Sequence, residues 1–157
     1  MRNLTKAAMI AATLALSSGT VLAQSAEPAA QIEAVLDAYE SALNASDAAA
    51  VAPLYTSDGV FMPPNVVPAQ VGTEAIQAAY AGFFKTISFD LDFTIDEIVV
   101  ASDEWAFART HSAGTGTLPD GATIVPQGNQ ELFIFQKGTA GEWRIARYAF
   151  NSILAPN

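Results

Sequence analysis

Apolar residues recur at helical spacing in Ile32, Val35, Leu36, Tyr39 and Leu43, with Gln31, Glu33, Asp37, Glu40 and Asn44 on the other side. Side chains three and four apart share one helix face, so this segment predicts an amphipathic helix with one face turned to a core. Asn44-Ala45-Ser46-Asp47 supplies a turn and a new N-cap, because a Ser or Asp oxygen accepts N–H groups that a helix start leaves free. A short second helix begins near Ala48, and Pro53, lacking a donor and crowding the preceding turn, kinks or ends it near Tyr55. Thr56-Ser57-Asp58-Gly59 reads as a turn, Val60-Phe61-Met62 as a short strand halted by Pro63-Pro64, and Asn65 to Val71 as a loop. Thr73 is placed to cap a third helix, whose stripe of Ile76, Ala79, Tyr80, Phe83 and Phe84 is mostly core, with Glu74 favourable in its first turn.

Beyond this helix the period falls to two. Phe89, Leu91, Phe93 and Ile95 alternate with Asp90, Asp92, Thr94 and Asp96, which describes a strand with one wet face. Ile98-Val99-Val100 breaks the alternation and predicts a bulge near Glu97. A strand from Trp105 to Thr117 follows, then a reversal at Pro119-Asp120-Gly121 and a strand whose apolar part Glu131 begins. Lys137 to Glu142 closes a second hairpin, and the last strand runs from Trp143 to about Asn151. Leu132 and Ile134 face one way while Phe133 and Phe135 face the other, so both sides of the sheet need cover. Three helices are few for that task, and a second copy of the chain is the simplest cover, which predicts a homodimer. The expected fold is α+β: a curved antiparallel sheet wrapped around three N-terminal helices, cone-shaped with a pocket at its mouth.

The first residues are set aside from that fold. Arg2 and Lys6 precede an apolar stretch from Ala7 to Leu16, and Val21-Leu22-Ala23 offers small residues to a signal peptidase. The stretch is too short to span a bilayer about 30 Å thick. The expected organisation is a signal peptide over 1–23, a flexible segment over 24–29 and one domain over 30–154, exported to the periplasm or secreted, without stable membrane insertion. The formal net charge is −9, and loss of Arg2 and Lys6 deepens it. Nucleic acid and anionic membrane surfaces are bound by Lys and Arg clusters that this chain lacks. With no cysteine there is no disulfide, no thiolate nucleophile and no cysteine metal site.

Asn44-Ala45-Ser46-Asp47, Phe61-Met62-Pro63-Pro64-Asn65, Gly72-Thr73-Glu74-Ala75-Ile76 and Arg147-Tyr148-Ala149-Phe150-Asn151, in this order of elements, resemble the nuclear transport factor 2-like superfamily. Within it the chain is most similar to SnoaL-like proteins. The resemblance covers nearly the whole domain and implies the cone fold, but the superfamily holds isomerases, cyclases, epoxide hydrolases and binding modules. SnoaL-like cyclases use an acid near the start of the penultimate strand, with a histidine on the preceding strand. Glu131 and His111 match those positions, with Glu where the cyclases carry Asp.

Hairpin geometry gives a similar placement, since folding about Asp120-Gly121 sets residue 111 opposite 130 or 131, a difference of one residue that decides which sheet face each occupies. Glu131, with His111 or Arg109 beside it, is the expected catalytic group: a carboxylate between apolar walls serves as base, and a nearby donor stabilises an oxyanion. A structural ion pair of Glu131 with Arg109 or Arg147 is the competing reading. Tyr39, Tyr55, Phe61, Tyr80, Phe84, Trp105, Phe133, Arg147, Tyr148 and Asn151 are the expected pocket residues. No metal or cofactor is called for: a lone histidine makes no metal site, and Asp90, Asp92 and Asp96 suit a solvated strand face. Gly114-Thr115-Gly116 lies inside a hairpin without the helix that holds a pyrophosphate. The function this supports is an exported pocket for a small apolar or carbonyl-containing molecule. It is either a cofactor-independent isomerase, cyclase or hydrolase, or a non-catalytic binding module.

Overall fold

A computed structural model describes residues 18–121 and 124–153, with side chains from Glu27 onward except those of Ile124 and Val125. Most of the expected signal peptide and the last residue of the expected domain, Leu154, lie outside the described residues. Helix α1 spans Ser18–Asn44, includes Pro28 and carries the anticipated face of Ile32, Leu36, Tyr39 and Leu43 into the core. Asp47 caps α2 (Ala48–Val51), its Oδ1 accepting from the N–H groups of Ala49 and Ala50 at 3.0 Å. A 3₁₀ turn over Ala52–Leu54 containing Pro53 then leads into β1 (Tyr55–Met62).

Three local expectations are corrected here. Thr56 to Gly59 lie within β1, because the strand slips against its partner: Tyr55 pairs with Ile145 and Val60 with Arg147, so six residues of one strand meet three of the other. Gly59 is needed there, since a Cβ would sit 2.9 Å from the Thr56 carbonyl oxygen. At α3 (Thr73–Phe83) the capping residue is Gly72 at φ 84°, with no side-chain cap, and Thr73 is the first helical residue. The expected loop before it contains a two-residue strand, β2 (Gln70–Val71), paired with β1.

The remaining strands are β3 (Ser88–Val100), β4 (Trp105–Thr117), β5 (Ile124–Lys137) and β6 (Trp143–Ser152). All six form one curved, unclosed sheet in the order β2-β1-β6-β5-β4-β3. Neighbours are antiparallel except β1 and β6, which run parallel. The anticipated bulge falls at Asp96, where Ile95 pairs with Thr110 and Glu97 with Arg109. Between β4 and β5 the register is unbroken from Trp105 opposite Gln136 to Thr117 opposite Ile124.

The concave face carries Ala106, Ala108, Phe133, Phe135, Ile145 and Tyr148 against α1 and α3, and these close the core with Ile32, Leu36, Val51 and Ile76. Ala106 and Ala108 are small where Tyr39 and the other rings are large, which keeps facing surfaces interlocked. Asn44 fastens α1 to the sheet edge: its Nδ2 donates to the Leu91 carbonyl at 2.8 Å and its Oδ1 accepts from the Leu91 N–H at 2.9 Å. Edge strand β3 thereby has part of its free backbone occupied. Asn44 therefore does more than form the turn expected of it.

Candidate functional site

The unbroken β4–β5 register decides which side chains share a face. Thr110 lies opposite Glu131 and His111 opposite Gln130, so Glu131 points into the cone and His111 away from it. His111 and Arg109 stand on the outer face, where His111 Nδ1 lies 2.9 Å from Asp96 Oδ1 and Arg109 reaches Asp96 Oδ2 at 3.2 Å and Glu97 Oε1 at 2.8 Å. The expected grouping of Glu131 with His111 or Arg109 is thus not made. Bulging Asp96 out of the ladder is what brings its carboxylate to both. Arg147 is also directed away from Glu131, toward Asp58 at 3.9 Å.

Inside the cone, Glu131 is 3% exposed and lies on the wall of a cavity of about 650 Å³. Its Oε2 accepts from Thr110 Oγ1 at 2.5 Å, and its Oε1 accepts from Ser112 Oγ at 3.1 Å and the Tyr148 hydroxyl at 3.3 Å. Asn129 Nδ2 donates to Ser112 Oγ at 3.4 Å. Strand alternation delivers this group, because Thr110 and Ser112 follow Ala106 and Ala108 on the inner face of β4.

All four tyrosines of the chain meet here, though each comes from a different element. The Tyr80 hydroxyl lies 2.8 Å from that of Tyr39 and 3.0 Å from that of Tyr55, and the Tyr39 ring meets that of Tyr148, the partner of Glu131, edge-on at 5.5 Å. Burial holds all four phenols well above the usual tyrosine value, so they remain neutral hydrogen-bonding groups. Around them the rings stack: Phe61 lies 4.7 Å from Tyr80 and 5.7 Å from Tyr148, and Phe133 lies 4.2 Å from Tyr148, all within 16° of parallel.

Of the expected pocket residues, Tyr39, Phe61, Tyr80 and Tyr148 line the cavity, while Tyr55, Phe84 and Phe133 pack behind that surface. Trp105, 38% exposed, and Asn151 lie on the outer face and are corrected from the pocket. Phe83, Phe89, Leu91, Asn129 and Phe150 line it unanticipated. A second, outer concavity is lined by Asp96, Arg109, His111, Gln130, Leu132 and Asn151. Among the described residues no cluster of three or more His, Asp or Glu side chains could hold a metal ion, and no helix is long and apolar enough to cross a membrane.

The SnoaL-like domain family matches residues 35–145, the stretch from the buried half of α1 to β6. The chain belongs to this family. This SnoaL-like domain is 40% identical to a ketosteroid isomerase-like protein from Erwinia carotovora atroseptica SCRI1043, across 80% of this chain and 96% of that one, with a TM-score of 0.76. A conserved protein from Planctomyces limnophilus DSM 3776 is 26% identical across 81% and 98% of the two chains, with a TM-score of 0.71. A nuclear transport factor 2-like protein with a cystatin-like fold from Novosphingobium aromaticivorans shares the fold at 20% identity, across 88% and 90%, with a TM-score of 0.69. A search of the curated proteins returned no match. The fold is that of a small-molecule-binding or isomerase-like family.

In the SnoaL-like domain, burial raises the Glu131 carboxyl above its ordinary value, and the donors Thr110, Ser112, Tyr148 and Asn129 offset only part of that rise. The folded state therefore holds this proton more tightly than the unfolded state. Its stabilising contribution is full below the unfolded value, near 4.3, and is lost as pH rises through the folded value. Glu131→Gln removes this dependence. Urea unfolding of the two proteins between about pH 4 and 8 should give a stability difference that shifts toward the variant as pH rises. A difference independent of pH would mean that the carboxyl titrates normally.

Proposed function

We propose that this protein is an exported, cofactor-independent isomerase-like enzyme that moves a proton on an apolar, carbonyl-containing small molecule, with Glu131 as the acid–base group. The observation that carries this reading is one buried carboxylate held by a tyrosine hydroxyl, with three more tyrosines beside it, on the wall of an apolar cavity large enough for a ring-bearing ligand. Glu131 takes a proton from the carbon beside the carbonyl, and the electron pair moves onto the carbonyl oxygen. A tyrosine hydroxyl of the cavity donates to that developing oxyanion. Return of the proton to a carbon further along the conjugated system shifts the double bond, with no net change in atoms or electrons. The 40% identity to a ketosteroid isomerase-like protein supports the same class of reaction.

A direct test supplies a cyclic β,γ-unsaturated ketone and follows the rise of the conjugated product by ultraviolet absorbance. Conversion above the rate in buffer is the expected result. Saturable binding of the ketone without conversion would instead assign the cavity to a non-catalytic binding module.

The outer face supports a homodimer. Trp105, Leu132 and Ile153 leave apolar surface exposed there, around the ion pairs of Arg109. Light scattering at micromolar concentration should give twice the protomer mass, and Leu132→Glu should return it to one. The proposed export predicts that protein recovered from its host's envelope begins at Gln24, as read by intact mass; a chain still starting at Met1 would contradict it.

A further inference from the structure

Every group that hydrogen-bonds to Glu131 is neutral: two aliphatic hydroxyls and one phenol, with the Asn129 amide behind Ser112. Buried carboxylates ordinarily have a cationic partner, since dipoles alone replace only part of lost hydration. Among the described residues no basic side chain lines the cavity. Arg109 and His111 are engaged by Asp96 on the other face of the sheet, Arg147 by Asp58 and Arg144 by Glu142, while Lys137 lies over the Trp143 ring and Lys85, just after α3, is exposed outside the cavity lining. Glu131 thus has full hydrogen bonding and no counter-charge.

The rest of the wall suits the missing charge. Phe61, Tyr148 and Phe150 are stacked within 20° of parallel and present aromatic surface to the cavity, and the electron-rich face of such a ring attracts a cation. The chain's formal charge of −9 draws cations toward the mouth and repels acids. An anionic ligand would meet a carboxylate, ring faces and no donor with positive charge.

We propose that the cavity accepts a ligand bearing a protonated amine on an apolar ring system, the ammonium group lying toward Glu131 against the Phe61–Tyr148–Phe150 wall, and that it rejects carboxylic acids of the same shape. This rests on the cavity and acid of the proposed function and adds the charge of the preferred ligand. Binding does not require turnover, so the amine is either the substrate's own substituent or a competitive occupant.

The test uses three probes on one ring: 1-naphthylmethylamine, 1-naphthalenemethanol and 1-naphthoate, each titrated calorimetrically into the full protein near neutral pH. The amine should bind at least about tenfold more tightly than the alcohol, and the naphthoate more weakly than both. In Glu131→Gln, with folding checked by circular dichroism, the amine should lose its advantage over the alcohol. Naphthoate binding as tight as the amine, no binding by any probe, or an amine advantage kept in the variant would each overturn the proposal. If the variant does not fold, the wild-type order decides. Ketone isomerisation without amine preference sinks this inference and leaves the proposed function standing; amine preference without isomerisation does the reverse.

Discussion

Glu131→Gln is expected to lower turnover of the unsaturated ketone by about 10²- to 10⁴-fold, the range for removing a positioned acid–base group. The change keeps the length and planar end of the side chain. Thr110 and Ser112 carry hydroxyls that both donate and accept, so they reorient around an amide without leaving a buried group unpaired. KM should therefore move far less than kcat, which separates lost chemistry from lost shape. Glu131→Asp tests reach: a base is kept but withdrawn by one methylene, and an intermediate rate is expected. A glutamine variant that retained wild-type turnover would remove Glu131 from the chemistry altogether. The expected control is His111→Ala, whose side chain lies on the outer face and should leave kcat within about twofold, well short of a general acid–base contribution.

The second large effect is on stability. Phe133→Ala should destabilise the protein by about 3–5 kcal/mol, as read from urea unfolding at one pH, because the ring has no exposed surface and is packed on all sides. It stacks 4.2 Å from Tyr148, meets Tyr39 edge-on at 5.4 Å and lies 6.1 Å from Phe135. Its removal leaves a void that sheet and helix cannot close together. Since a domain's whole stability is on the order of 5–15 kcal/mol, the variant should be partly unfolded well below the wild-type transition. The next residue along, Leu132, is on the other face and 44% exposed in the protomer, so Leu132→Ala, read at a concentration low enough for the monomer, should cost less than about 1 kcal/mol. Equal losses at the two positions would contradict the assignment of faces.

That contrast shows what the sequence made legible. The parity of Leu132 against Phe133 was readable from alternation alone, as were the bounds of β4 and the bulge beside Glu97, because each depends on neighbours along one strand. Glu131 was reachable by hairpin counting. His111 was misplaced beside it because the count left a single residue undecided, and one residue exchanges inside for outside. Thr110 and Ser112 carried a readable signal: they have the same parity as Ala106 and Ala108, and in an unbroken register that parity meets Glu131. Thr56 to Gly59 have turn composition, yet pairing with β6 draws them into a strand, an outcome decided by residues nearly ninety positions away. The meeting of four tyrosines lay beyond any local pattern, since it requires α1, β1, α3 and β6 to be docked first.

The last strand among the described residues, β6, lies in the interior of the sheet between β1 and β5. This has a consequence for the order of events in time. A chain emerging from its N-terminus can form α1, the β1–β2 pair and the β3–β4–β5 meander, but these two sheet portions share no edge until residues 143–152 arrive. Tyr148 and Phe150 come with that strand, so the aromatic wall and the hydroxyl that meets Glu131 are completed together once residues 143–152 have been made. While a ribosome retains residues 143–152, the chain has no finished cavity and no ligand to trap. A protease that cut before Trp143 would likewise abolish the pocket as a whole rather than trim it, leaving two open sheet edges where the molecule had its centre.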